Sequence, residues 1–113
     1  MPLIESRDQI PPGTLDMLIL RTLIHARELH GFEIAQSIER ASRDILQVEE
    51  GSLYPALQRM LIKGWVAAEW GRTSENRRAR YYKLTAAGKK HLAVELETYH
   101  RVAGAIARVL APA

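Results

Sequence analysis

A chain of 113 residues with 47% apolar side chains and no cysteine has room for one compact domain with a core, and it excludes disulfides, thiolate metal sites and cysteine nucleophiles. No apolar stretch approaches the roughly 20 residues of a membrane-spanning helix, and the start, Met1-Pro2-Leu3-Ile4-Glu5, lacks the basic residues and apolar run of a signal peptide, so the sequence reads as soluble and cytoplasmic, with no membrane partner. The net charge is only +3, yet residues 51–90 hold nine Lys and Arg against two Glu, a local +7 on a remainder of −4, and such a block suits a polyanion, DNA or RNA, while charge alone fits a solvated basic face equally well.

Residues 1–12 end in Ile10-Pro11-Pro12 and read as an extended arm. Thr14 is placed to cap a first helix, with Asp16 in its first turn complementing the helix dipole. Leu15, Leu18, Ile19, Leu23 and Ala26 recur at helical spacing, so this helix is expected to run to about Leu29, where His30-Gly31 breaks it. A second helix spans about 32–43, with Ile34, Ala35 and Ile38 inward. After a connector at 44–50, Gly51-Ser52 supply a turn and a cap for a third helix. Pro55 is read into the first helical turn, where its missing N–H costs nothing. Leu53, Leu57, Met60 and Leu61 form the buried stripe, and Lys63-Gly64 end the helix.

The period then changes. Trp65 to Trp70 reads as a strand, 71–78 as a polar eight-residue loop, and Ala79 to Leu84 as a returning strand. Thr85 caps a last helix from Ala86 to Leu110, roughly 37 Å long at its ordinary rise. Along it Leu92, Leu96, Tyr99, Ala103, Ile106 and Leu110 are spaced 4-3-4-3-4, a heptad seam. The fold class is therefore mainly α with a small β-hairpin: a winged helix-turn-helix with a long C-terminal dimerisation helix. Its expected divisions are an arm at 1–12, a DNA-binding domain at 13–84 and the dimerisation helix at 85–113.

Several blocks carry a family resemblance: Gly13-Thr14-Leu15-Asp16-Met17-Leu18, His30-Gly31-Phe32-Glu33-Ile34, Glu50-Gly51-Ser52-Leu53-Tyr54-Pro55-Ala56-Leu57, Lys63-Gly64-Trp65-Val66, and Arg80-Tyr81-Tyr82-Lys83-Leu84-Thr85-Ala86-Ala87-Gly88. In this order they resemble the PadR-like regulators over about 13–110, and the short C-terminus resembles the subgroup with a single dimerisation helix. The resemblance implies a homodimeric transcription factor, usually a repressor, that binds a palindromic double-stranded DNA operator and releases it on an effector signal. Two positions depart from the family pattern. Phe32 stands where Tyr is common and offers no hydroxyl to a phosphate. Met60-Leu61-Ile62 stand where Leu and acidic residues are common.

With Leu53, Leu57 and Met60 inward, the third helix leaves Ser52, Tyr54, Gln58, Arg59 and Lys63 for a DNA groove or its rim. Gln and Arg pair with base edges, and hydroxyls hold phosphates. In the wing, Arg72, Arg77 and Arg78 suit the phosphate backbone or a minor groove. Trp65, Trp70, Tyr81 and Tyr82 are expected as core and hinge aromatics rather than as a base-stacking platform. The heptad residues, Leu92 to Leu110, are expected to face a second copy of the chain, and Tyr99 with Ala103 to line a small pocket for an unidentified small-molecule effector. His25, His30, His91 and His100 lack partners at metal-ligand spacing, so no metal or cofactor is expected. No catalytic set appears, so no enzyme is expected. The competing function is a winged-helix module for protein–protein contact without DNA binding.

Overall fold

The computed structural model describes residues 8–11 and 13–112; of the expected arm at 1–12, residues 1–7 and Pro12 lie outside the described residues, as does Ala113 of the expected dimerisation helix. Among the described residues, four helices, α1 (Leu15–Ile24), α2 (Gly31–Ala41), α3 (Glu50–Ile62) and α4 (Ala86–Leu110), are interleaved with five strands: β1 (Asp8–Gln9), β2 (Leu29–His30), β3 (Leu46–Gln47), β4 (Val66–Arg72) and β5 (Arg78–Leu84). β1 and β3 form a short parallel pair, and β2, β5 and β4 form an antiparallel sheet in that order. This is the winged helix-turn-helix arrangement, with β4 and β5 as the wing.

α1 is the centre of the molecule, touching α2, α3, α4 and β5. Its run Leu-Asp-Met-Leu-Ile-Leu-Arg-Thr-Leu-Ile is apolar almost all round, as a helix with neighbours on several sides must be, and Met17, Ile19, Leu20 and Leu23 are buried. Ile34, Ile38, Leu53, Ala56, Leu57, Met60, Val66, Tyr82 and Leu92 complete the core. No helix among the described residues is long and apolar enough to cross a membrane.

α1 stops at Ile24 rather than near Leu29. Leu29 and His30 pair with Tyr82 and Tyr81 of β5 as a third strand, so tertiary pairing overrides the helical periodicity that continues through Ala26. Thr14 occupies the N-cap position without capping through its side chain; its hydroxyl donates to the Pro11 carbonyl at 2.7 Å instead.

His30-Gly31 starts α2 instead of breaking a helix. Nδ1 of His30 accepts from the Glu33 backbone N–H at 3.4 Å, while Oε1 of Glu33 accepts from the His30 N–H at 3.1 Å. The pair is a capping box built on an imidazole in place of a hydroxyl.

α3 also begins earlier than expected, with Glu49 at the N-cap position, so Ser52 lies inside the helix and does not cap it. Pro55 is then well past the first turn. Its missing N–H leaves the Gly51 carbonyl without its helical donor, and both residues are exposed, so solvent reaches that carbonyl. The other end agrees with the sequence reading. Gly64 adopts φ +77°, Gly64 N–H donates to Leu61 O at 3.1 Å and Trp65 N–H donates to Met60 O at 3.0 Å, the two bonds of a Schellman stop.

α4 spans the expected residues. Thr85 Oγ1 accepts from Gly88 N–H at 3.0 Å and donates to the Gly64 carbonyl at 2.6 Å, so a single hydroxyl caps α4 and ties it to the turn that follows α3.

Candidate nucleic-acid interface

Burial of Leu53, Ala56, Leu57 and Met60 fixes which side of α3 faces out. At about 3.6 residues per turn, exposed Gly51, Pro55, Gln58 and Ile62 form the centre of the outer face, with Ser52, Arg59 and Lys63 on one flank and Tyr54 on the other. Ile62 is 76% exposed. The apolar character of Met60-Leu61-Ile62 thus divides, with Met60 in the core and Ile62 on the surface.

Three of the five α3 residues singled out from the sequence already have partners in the protein. Arg59 Nη2 donates to Asp16 Oδ1 of α1 at 3.1 Å. The Lys63 ammonium lies 4.9 Å from the centre of the Trp65 ring. The Tyr54 ring lies against Gly31 so closely that a Cβ there would come within 2.7 Å of the phenolic oxygen. Tyr54 therefore packs on the start of α2. Ser52 and Gln58 are exposed.

The wing is a longer hairpin with a shorter tip than expected: two seven-residue strands joined by 73–77. Thr73 organises the tip. Its N–H donates to Arg77 O at 2.8 Å, its carbonyl accepts from Asn76 N–H at 2.9 Å, and its hydroxyl accepts from the Glu75 and Arg77 N–H groups, both at 3.2 Å. Asn76 takes φ +62°, a conformation Asn tolerates better than most residues. Arg72 Nη1 donates to the Asn76 carbonyl at 3.1 Å, and Arg77 is exposed at the tip.

In register, Val66 faces Leu84, Ala68 faces Tyr82, Trp70 faces Arg80 and Arg72 faces Arg78. These pairs share one face of the pleat. Its base is core, and its outer half carries Trp70 with three arginines.

Of the four aromatics expected in the core or at hinges, Tyr82 is buried. Trp65 is half-buried and stacked on His91, ring centres 3.6 Å apart. Tyr81 packs edge-on to His30, lies over Gly71, and its hydroxyl donates to Arg72 O at 3.1 Å. Trp70 is the exception, at 59% exposed. It sits beyond the part of the sheet that the helices cover, so strand alternation aims it at the inner side of the wing with no core to enter. The Arg78 guanidinium carbon lies 4.3 Å and that of Arg80 5.8 Å from its ring centre. Burial pushes the Tyr82 phenol above its usual range, opposed by the Arg80 guanidinium and reinforced by the Tyr54 phenol.

The seam of α4 divides. Leu92 is buried in the protomer's own core and Leu96 packs against it, so Leu92 has no surface left for a partner. Tyr99, Ile106 and Leu110 are exposed, together with Val102 and Val109; Ala103 is half-buried. Tyr99 lines a cleft of about 380 Å³ with Met17, Leu18, Arg21, Leu96 and His100, and Ala103 is not on its wall.

Sequence reasoning did not find Asp16 as the partner of Arg59, His30 as a cap, or Trp70 and Arg80 as wing residues. The Ser/Thr/Asx cap rule does not include His, and no local signal ties residue 16 to residue 59. Arg80 was legible as part of the basic block and was not singled out. Among the described residues, no group of three His, Cys, Asp or Glu side chains is arranged to hold a metal ion.

Residues 19–94 match the family model described as the transcriptional regulator PadR-like family. A protein of Lysinibacillus sphaericus, named uncharacterized protein X, is 36% identical over 86 residues, covering 76% of this chain and 78% of that one. Among solved structures, a transcriptional regulator from Clostridium thermocellum superposes with a TM-score of 0.79 at 25% identity, covering 88% of this chain and 95% of that one. Bacillus subtilis PadR, solved in complex with operator DNA, shares the fold with a TM-score of 0.65 at 23% identity; the match covers 76% of this chain and 48% of that one.

Proposed function

This chain belongs to the PadR-like family of transcriptional regulators, and from that membership we propose that it is a sequence-specific double-stranded DNA-binding regulator, a repressor acting as a homodimer on a palindromic operator and released by an effector. It works in the cytoplasm and is not an enzyme. Residues 1–12 form an arm, 13–84 the DNA-binding domain and 85–113 the dimerisation helix.

The observation that carries this reading is the outward face of α3, where exposed Ser52, Gln58, Arg59 and Lys63 stand opposite the buried stripe. Gln58 and Arg59 have the donor geometry for base edges, and Ser52 and Lys63 suit the phosphates beside them. Arg72, Arg77 and Arg78 of the wing add charge for the backbone. Tyr54, with the end of its ring braced against Gly31, meets a phosphate from the opposite flank of α3. The fold is one that Bacillus subtilis PadR carries on operator DNA; for this chain the DNA reading rests on its family and its side chains.

The dimer reading rests on the second half of α4. Tyr99, Ile106 and Leu110 leave an apolar strip uncovered, and a helix of 25 residues outreaches a domain of this size. A two-fold partner would cover the strip and set two α3 helices at the spacing of two half-sites. The effector reading rests on the Tyr99 cleft, whose wall is mostly apolar with Arg21 and His100 at hand.

Capture and sequencing of genomic fragments bound by the purified protein tests the proposal. The fragments are expected to share an inverted repeat with half-sites about one helical turn apart. Recovery of fragments with no common sequence would overturn sequence-specific recognition.

A further inference from the structure

We propose that Arg80, midway along the wing, is a phosphate contact, and that Trp70 is a positioning residue holding Arg80 and Arg78 for the DNA backbone. This inference rests on the duplex-binding reading above and adds two residues to it.

Trp70 is a large apolar ring on a polar hairpin, 59% exposed, on a face whose neighbouring side chains are Arg80, Arg72 and Arg78. The two nearest guanidiniums lie over it at 4.3 and 5.8 Å, the geometry in which an indole face attracts a cation. The hairpin's carboxylates are elsewhere: Glu69 pairs with Tyr81 on the opposite face, and Glu75 is in the turn. Arg72 stands directly across from Arg78, and like charges so placed repel. A polyanion on this face would reverse that repulsion, and a short surface ion pair would not suffice for three cations.

The face runs on into the core. Along β5, Tyr82, Arg80 and Arg78 alternate onto that one face, and Tyr82 is buried in the core beneath the helices, so Arg80 stands between the covered base of the hairpin and its tip. Arginines stacked on a ring have already lost much of the rotamer freedom that phosphate binding would otherwise take from them, so the stack raises affinity by pre-ordering the contact.

The test is a salt titration of binding to a mixed-sequence duplex of about 30 base pairs, with thermal melts confirming that each variant folds. W70L, which keeps bulk and removes the ring, is expected to weaken binding about five- to tenfold while leaving the salt slope unchanged, and W70F is expected to recover most of the loss. R80Q is expected to lower the slope by about 0.9, one phosphate's worth, with R80K retaining it. W70L binding as tightly as W70F, or R80Q keeping the full slope, would overturn the inference while wild-type binding leaves the regulator reading intact. A wild-type protein with no salt-dependent affinity for the duplex would overturn both.

Discussion

Arg59 on the outer face of α3 is held by Asp16 of α1, guanidinium nitrogen to carboxylate oxygen at 3.1 Å, across 43 residues of sequence. Arg59 is about half exposed and Asp16 about a quarter, so solvent screening leaves the pair worth less than about 1 kcal/mol of stability. Its larger consequence falls on DNA binding, because Asp16 engages a guanidinium nitrogen that a base edge would otherwise use and sets a carboxylate beside the DNA-facing surface. Asp16→Asn is expected to leave the melting temperature nearly unchanged and to tighten duplex binding several-fold. Unchanged or weaker binding by fluorescence anisotropy would show that Arg59 stays with Asp16 in the complex.

Gly88 and Gly31 separate two kinds of close approach. A Cβ at Gly88 would run into the Trp65 carbonyl oxygen, a backbone atom; a Cβ at Gly31 would meet the end of the Tyr54 ring, a side chain that can rotate. Replacing Gly by Ala inside a helix gains about 1 kcal/mol of propensity, which the overpacking at Gly88, about 1–3 kcal/mol or more, outweighs. Gly88→Ala is expected to destabilise clearly and Gly31→Ala much less, as read by urea midpoints. The reverse order would contradict the packing described.

His30 caps α2 through Nδ1 and also packs against Tyr81. His30→Ala is expected to cost about 1 kcal/mol, the usual loss for a removed N-cap. His30→Asn restores an acceptor at the right reach and is expected to recover part of it. Equal stability of all three proteins in denaturant would remove the imidazole from the cap.

Tyr82 gives a pH dependence of known sign. Burial raises its phenol above the usual value of 10.0, so the folded protein holds that proton more tightly than the unfolded chain. The stability it contributes is complete below pH 10 and is lost as pH climbs through the raised folded value. Tyr82→Phe is expected to flatten the decline of melting temperature above about pH 10 relative to the parent protein. Parallel curves for the two proteins would contradict the shift.

The divided seam of α4 predicts two different phenotypes along one stripe. Leu92→Ala empties a core position and is expected to cost about 2–5 kcal/mol of protomer stability. Ile106→Glu places a charge on the exposed strip, leaves the protomer core untouched, and is expected to shift the protein to monomer in sedimentation equilibrium. An Ile106→Glu protein that sediments like the parent would detach dimerisation from this helix.

The sequence by itself determined what depends on near neighbours along the chain. Helical periodicity with Lys63-Gly64 located the end of α3, Thr85 and the heptad spacing set both ends of α4, and the clustering of cations between Gly51 and Lys90 pointed to a polyanion. The helix ends are conformations set within a few residues and the cation block is a count along the chain, so spacing and composition contain them. The tertiary structure alone decided where α1 ends, because β5 offers Leu29 and His30 partners that α1 cannot match. It alone decided that Leu92 is core while Tyr99 is surface, since one heptad stripe reads the same whether α1 or open solvent lies beside it. The pairing of Arg59 with Asp16 and the exposure of Trp70 belong to the same class: both depend on where distant elements stop covering a face, and no local pattern carries that information.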